Sequence, residues 1–292
     1  MNLRILIFIM AFTAVIDSTH AKVTVFVSIP PQAYLVEQLA GSETIDTHLL
    51  VRPGQDPHTF EPTPQQIIAL SQASVYFRIG LPFEDRILPK ITSGNGKLTV
   101  VDCRKGITMI PAPDIHHEHG HDEPGSDPHI WLSPENARII ASTMYEALSG
   151  LVSLEARPGM ETRYRDLSTK LETLDHTLRR SLAPFAERSV LVFHPAFGYF
   201  CAEYGLKQVF VESEGKQPGP KYLDQLIRKA QSENIRIILV QPQFDSKTAD
   251  VIARAINGKS LEIDPLAYDI PKGLESIRDA MLEAMATDAA GR

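Results

Sequence analysis

Residues 159–183 read GMETRYRDLSTKLETLDHTLRRSLA. Apolar side chains recur there every three or four positions, at Tyr164, Leu167, Leu171, Leu174, Leu178 and Leu182. Charged and polar residues fill most of the other positions. This spacing predicts a single helix that ends near Pro184. Because an uninterrupted helix is stiff, residues 158–185 are predicted to be a rigid connector between two lobes.

On both sides of this helix, short β-branched runs alternate with helical patterns. Strands are predicted at 23–28, 44–51, 74–79, 98–102, 189–193, 208–211, 236–240 and 259–263. Helices are predicted at 32–40, 64–73, 135–151, 196–204, 219–233, 246–257 and 274–285. The alternation is typical of parallel sheets. The predicted fold class is therefore α/β, with an N-terminal lobe over 22–157 and a C-terminal lobe over 186–292.

Residues 1–21 have the pattern of a secretory signal peptide. Arg4 precedes the apolar run Ile5 to Ile16, and Thr19-His20-Ala21 ends in the small residues that a signal peptidase reads. The run of about 12 apolar residues is shorter than the roughly 20 that span a membrane. We predict cleavage after this segment and a mature chain that is free in the periplasm. The alternative is a short N-terminal membrane anchor.

Composition limits the partners. The formal net charge of −7 argues against nucleic acid or an anionic membrane surface. No second long apolar run follows the signal, so direct membrane insertion is not expected, and we expect a monomer. The two cysteines, Cys103 and Cys201, are assigned to different lobes, and the sequence leaves their pairing open.

A histidine-rich loop is predicted at 114–126. It contains His116, His117, His119 and His121, with acidic residues between and after them. The segment has no apolar periodicity, and imidazole with carboxylate at this density suits a divalent metal. We interpret it as an auxiliary loop that binds metal loosely. The alternative is a solvated loop without that role.

Four further side chains are candidate metal ligands: His58, His129, His194 and Asp264. The first two end matching Asp-Pro-His triplets, and the last two directly follow predicted strands. Ligands bind at the carboxyl edge of parallel sheets, so these four are predicted to meet in the cleft between the lobes. Taken singly, His194 also fits a hydrogen-bonded core residue, and Asp264 fits a turn.

Three imidazoles and one carboxylate suit Zn²⁺ in a tetrahedral shell. Manganese prefers more oxygen ligands and is the alternative. Asp56 and Asp127, in the two triplets, are candidates to accept the second ring N–H of a ligating histidine. Glu61 is interpreted as a buried carboxylate behind the ligands, with direct ligation as its alternative.

The residues favour capture of an ion over catalysis. A zinc hydrolase needs an open coordination position and a general base. The sequence contains neither His-Glu-x-x-His nor Gly-x-Ser-x-Gly. We therefore predict that the protein is not an enzyme. A secreted adhesion or sequestration protein that binds metal remains an alternative to a transport receptor.

Four motifs together carry a resemblance to a known family. They are PGQDPHTFEPTP at 53–64, DPHIWLSP at 127–134, FHPAFGYF at 193–200 and IDPL at 263–266. In this order they resemble the metal-binding receptors of ABC importers, and more narrowly the periplasmic zinc-uptake receptors of the ZnuA type within the zinc/manganese group. The resemblance covers nearly the whole mature chain.

The resemblance implies two α/β lobes joined by a long backbone helix. It implies that His58, His129, His194 and Asp264 bind the metal, and that the ion is delivered to a membrane permease driven by an ATPase. Manganese members tend to have glutamate where this chain has His194. That difference and the histidine-rich loop favour zinc, with manganese or mixed binding as the alternative.

Overall fold

Two four-stranded parallel sheets lie on either side of one long helix. The structure, a computed structural model, describes residues 22–41, 43–92, 97–113, 125–212, 219–244 and 246–289. The predicted signal peptide and the histidines at 116–121 lie outside these residues. Within them, none of the helices has the length and apolar character needed to cross a bilayer.

The first lobe contains β1 (Val23–Val27), α1 (Pro30–Ala40), β2 (Ile45–Leu49), α2 (Pro64–Ser71), β3 (Val75–Arg78), α3 (Pro82–Thr92), β4 (Thr99–Asp102) and α4 (Pro134–Ser149). The connecting helix is α5 (Arg157–Leu182). The second lobe contains β5 (Ser189–Val192), α6 (Gly198–Tyr204), β6 (Lys207–Phe210), α7 (Pro220–Ser232), β7 (Ile237–Val240), α8 (Ser246–Ala255), β8 (Lys259–Glu262) and α9 (Ile270–Ala289).

The two sheets share one topology. Their strand orders are β2-β1-β3-β4 and β6-β5-β7-β8, and every pairing is parallel. The chain therefore reverses its winding direction between β1 and β3 in the first lobe, and between β5 and β7 in the second. A crevice forms at the carboxyl ends of the strands where winding reverses, and this is where α/β proteins bind ligands.

Helix α5 joins the lobes through an apolar stripe. Its 26 residues pack against α1 and α4 of the first lobe and against α6 and α9 of the second. The buried side chains are Met160, Leu167, Leu171, Leu174, Leu178 and Leu182. They belong to one apolar core that runs from the first lobe to the face of the second sheet beneath α9, while a separate cluster fills the opposite face of that sheet. A shared core resists wide separation of the lobes.

The predicted elements are present, with shifted ends. Helix α9 begins at Ile270 rather than at 274, because Pro271 is tolerated in a first helical turn. Helix α3 is missing from the sequence-based prediction, and it carries Pro89 in its interior. Both cysteines are free and buried.

Candidate metal centre

Three imidazoles from two lobes meet in the interlobe crevice. The Nε2 atom of His129 lies 3.3 Å from Nε2 of His58 and 3.3 Å from Nε2 of His194. The ligand atoms of all three histidines lie within 4.8 Å of one another. His58 and His129 come from the first lobe and His194 from the second, so the group closes across the cleft.

The spacing of these nitrogens matches a zinc shell. A tetrahedral ion with Zn–N distances of about 2.0–2.1 Å has neighbouring ligand atoms about 3.3–3.4 Å apart. The two Nε2–Nε2 distances of 3.3 Å have this length. The three imidazoles could therefore hold one small cation.

His129 is held by its own triplet. It lies where the chain enters a 3₁₀ turn, Ile130–Leu132, ahead of α4, whose start is fixed by the Ser133 hydroxyl that accepts from the Asn136 amide. Oδ1 of Asp127 accepts from the backbone N of His129 at 2.9 Å and from ring Nδ1 at 2.7 Å. Because Nδ1 carries the proton, Nε2 keeps its lone pair for the cleft.

The Asp127 carboxylate also touches the second lobe. It is fully buried, and its Oδ2 atom has no hydrogen-bond partner among the described residues. Gly198, the first residue of α6, faces that atom, and a Cβ added there would lie 2.5 Å from Oδ2. The Tyr199 hydroxyl donates to the Asp127 carbonyl at 3.1 Å. Glycine at 198 therefore lets α6 approach the residue that orients His129.

His194 is held by two buried polar side chains. Its Nδ1 lies 2.5 Å from Oε1 of Glu212, a buried residue just beyond β6. Oε1 of Gln241 accepts from the His194 backbone N at 3.1 Å, and Nε2 of Gln241 donates to the His194 carbonyl at 2.7 Å. The Phe244 ring stacks on the imidazole at a centroid distance of 4.9 Å. Backbone, ring plane and tautomer of His194 are each fixed by a different neighbour.

His58 is held less firmly. Oδ1 of Asp56 accepts from the backbone N of His58, and Oδ2 accepts from the Thr59 hydroxyl, each at 2.9 Å. These bonds hold the loop, and neither of them reaches the His58 ring. The next apolar residue, Phe60, packs edge-on against Phe83 of α3. His58 is half-buried, whereas His129 and His194 are buried.

Burial favours the neutral imidazoles that a metal requires. The pKa of His58 lies well below its usual 6.5 because of burial, reinforced by the nearby His129 and His194. Burial also lowers the pKa of His194, against the opposing effect of its hydrogen bond to Glu212. Both rings are consequently unprotonated at neutral pH and able to donate a lone pair.

Two of the candidate carboxylates, Asp264 and Glu61, are not members of this histidine group. Among the described residues, the group whose ligand atoms all lie within 4.8 Å contains the three histidines and not Asp264. Oδ1 of Asp264 accepts from Gln243 Nε2 and from the Leu266 backbone N, each at 2.9 Å. The burial predicted for Glu61 is wrong: Phe60 turns into the core, and the next residue, Glu61, is exposed.

Glu212 and Gln241 have no counterpart in the sequence-based prediction. They lie 18 and 47 residues from His194 in the chain, and no short motif joins them to it. A signal was present, since each follows a strand of the second sheet, as the candidate ligands do. The rule that selects His194 at a strand end therefore also selects these two polar residues.

Comparison with known proteins identifies the family of this chain. A family model described as "Zinc-uptake complex component A periplasmic" matches residues 25–287. The high-affinity zinc uptake system protein ZnuA of Bacillus subtilis is 27% identical over 266 residues, covering 86% of this chain and 80% of that protein.

Solved structures show the same architecture. The crystal structure of a zinc-bound ZnuA deletion mutant superposes with a TM-score of 0.82 at 34% identity, covering 90% of this chain and 98% of that one. The periplasmic zinc-binding protein TroA from Treponema pallidum gives a TM-score of 0.77 at 20% identity, covering 90% and 99% of the two chains. The second likeness concerns the fold alone.

Proposed function

Because this chain belongs to the family of periplasmic zinc-uptake component A proteins of ABC importers, we propose that it captures Zn²⁺ and delivers it to a membrane permease. The ATPase of the importer would drive the transfer. Proteins of this family are substrate-binding components of transporters and not enzymes. We further propose that residues 1–21 are cleaved and that the mature protein acts in the periplasm.

One observation carries the proposal. Three Nε2 atoms from two lobes converge, and two of the three distances between them have the 3.3 Å length expected around a tetrahedral zinc ion. Two of the three rings also have their other nitrogen bound to a buried carboxylate. Such carboxylates fix the tautomer and raise the basicity of a ligating histidine. We assign His58, His129 and His194 as ligands and Asp264 as the fourth, through Oδ2.

Zinc is favoured over manganese by the donor set. Three imidazole nitrogens and one carboxylate oxygen suit Zn²⁺, whereas Mn²⁺ prefers more oxygen and a larger coordination number. The relatives named for zinc, ZnuA of Bacillus subtilis and the zinc-bound ZnuA structure, support the same choice. Manganese is the second candidate cargo of the same site.

Metal competition with the purified mature protein tests capture. His129→Ala removes the nitrogen that lies between the other two, so tight zinc binding is expected to be lost. A variant without residues 116–121 keeps all four proposed ligands, so it should lose stoichiometry or capture rate while retaining the tight site. Equal loss of affinity in both variants would move the site to the histidine-rich loop.

Delivery needs a separate test, because a sequestration protein would also bind zinc. A deletion strain is expected to grow poorly in zinc-chelated medium and to recover with added zinc. Complementation by the wild-type chain and not by His129→Ala would tie the growth defect to the metal site. Normal growth of the deletion strain in chelated medium would argue against a transport role.

A further inference from the structure

The loop after β7 contacts both parts of the second lobe that carry proposed ligands. It comprises residues 241–244 and supplies no proposed ligand itself. Gln241 hydrogen-bonds both the backbone N and the carbonyl of His194, and Phe244 stacks on the His194 ring. Between them, Gln243 Nε2 donates to Oδ1 of Asp264. The loop is therefore positioned to set how both side chains are presented to an ion.

The hydrogen bonds of Asp264 are unevenly divided between its two oxygens. Oδ1 accepts from Gln243 Nε2 at 2.9 Å and from the Leu266 backbone N at 2.9 Å. A carboxylate oxygen has about two lone-pair sites, so these two donors fill Oδ1. The backbone donor is fixed by the turn, whereas the amide donor depends on the side chain at 243. Oδ2 is the oxygen left for a cation.

We infer that Gln243 determines metal specificity by restricting Asp264 to coordination through one oxygen. This inference rests on the proposed function, in which Asp264 is the fourth ligand. A single carboxylate oxygen with three imidazoles completes the four-coordinate shell that zinc prefers. Engagement of both oxygens would raise the coordination number and the oxygen content, which suits manganese.

The space beside the histidines is small. A cavity of about 20 Å³ is lined by Gln243, Phe244, Pro265 and Leu266 together with His58 and His129. This volume admits about one water molecule. An ion with a larger coordination number must therefore take oxygen ligands from the protein, and Gln243, which lines this cavity, holds Oδ1 of Asp264.

The decisive variant is Gln243→Leu, which keeps a side chain of similar size and removes the donor. Zinc and manganese affinities are measured by competition, and the visible spectrum of the Co²⁺-loaded protein reports the coordination number. We expect the affinity for Mn²⁺ relative to Zn²⁺ to rise about tenfold. The Co²⁺ absorption should weaken, as it does when a tetrahedral ion gains a fifth ligand.

Two controls separate specificity from loss of structure. Gln65→Leu changes an exposed glutamine of α2 and should leave both readouts as in the wild type. In an Asp264→Ala background, which lacks both carboxylate oxygens, Gln243→Leu should no longer change the metal ratio. Thermal unfolding of each metal-free variant shows whether the fold is retained.

Each outcome decides one question. An unchanged metal ratio and an unchanged Co²⁺ spectrum in Gln243→Leu would overturn the inference, as would an effect that persists in the Asp264→Ala background. If Gln243→Leu does not fold, Gln243→Asn, whose shorter amide does not reach Asp264, gives the same test. Failure of the wild-type protein to bind zinc would instead overturn the proposed function.

Discussion

The ends of β1 and β5 occupy the same place in the two sheets and are built alike. After β1, the backbone N of Ser28 donates to Oε1 of Gln32 at 2.9 Å, and the Ser28 hydroxyl donates to Oε1 of Glu84 at 2.5 Å. All three residues are buried. Glu84 also accepts from the backbone amides of 79, 80 and 81, so it anchors the turn ahead of α3.

After β5, the backbone N of His194 donates to Gln241 and its ring binds Glu212, again with all three residues buried. Both lobes thus hold a strand end with one glutamine and one glutamate. The serine has a single oxygen, which is bonded to Glu84 and to the Tyr76 hydroxyl. The imidazole has a second nitrogen, which faces the cleft. A strand end that is held by a buried glutamine and glutamate can bind a ligand when the side chain that they hold has a second donor atom facing the cleft.

Replacing His194 with serine makes the end of β5 chemically like the end of β1. This change should have the largest effect on zinc binding. The shell loses one of its three nitrogens, so zinc affinity should fall by more than the roughly 10–100-fold typical of residues that only orient a ligand. Competition against a chelator measures the loss. If His194→Ser binds zinc as tightly as the wild type, the second lobe contributes no nitrogen to the site.

Matched changes of the two glutamates separate orientation from stability. Glu212→Gln should weaken zinc binding about 10–100-fold, because an amide holds the His194 tautomer less well than a carboxylate. Glu84→Gln should leave zinc affinity near the wild-type value but lower the free energy of unfolding by about 1–3 kcal/mol, since an NH₂ group replaces one of the two oxygens that accept from buried donors. Chemical unfolding of the metal-free proteins measures the change in the free energy of unfolding. Equal zinc affinities in the two variants would contradict the comparison.

The contributions of His194 and Glu84 to stability should change with pH in opposite directions. This effect is expected to be smaller than those of the substitutions above. Burial lowers the pKa of His194 below 6.5, so its contribution to the stability of the metal-free protein is present above 6.5 and lost as pH falls. Burial raises the pKa of Glu84 above 4.5, so its contribution is present below 4.5 and lost as pH rises through the folded-state value.

Unfolding of the metal-free protein between pH 4 and pH 8 tests these signs. His194→Gln should flatten the decrease in stability below pH 6.5, and Glu84→Gln should flatten the change just above pH 4.5. A common slope for both variants would mean that neither group titrates as its burial requires.

Local patterns predict most of the fold because they report local physics. The leucine spacing of α5 and the Thr63-Pro64 and Ser133-Pro134 starts of α2 and α4 act within one turn of helix, so the sequence reveals them. Helix α3 is not predicted because Pro89 lies in its interior, where proline removes a backbone hydrogen bond. Packing against the rest of the first lobe must compensate for that loss.

The site is only partly predictable for the same reason. His58, His129 and His194 can be selected because each follows a strand or a fixed turn, and the structure brings them together. Glu212 and Gln241 act across strands, through pairings that no short motif encodes. The tie between Gln243 and Asp264 likewise depends on the meeting of two loops, so denticity could not be inferred from residue types.

Because the apolar core passes through α5, metal binding should stabilise both lobes and not only the residues at the site. A molecule whose halves share one core unfolds as a unit, so the free energy of ion binding protects both halves even though a few side chains touch the ion. We expect loaded molecules to outlast empty ones when proteases are present, which a digestion time course with and without zinc would show. The lifetime of the receptor would then follow the supply of its cargo.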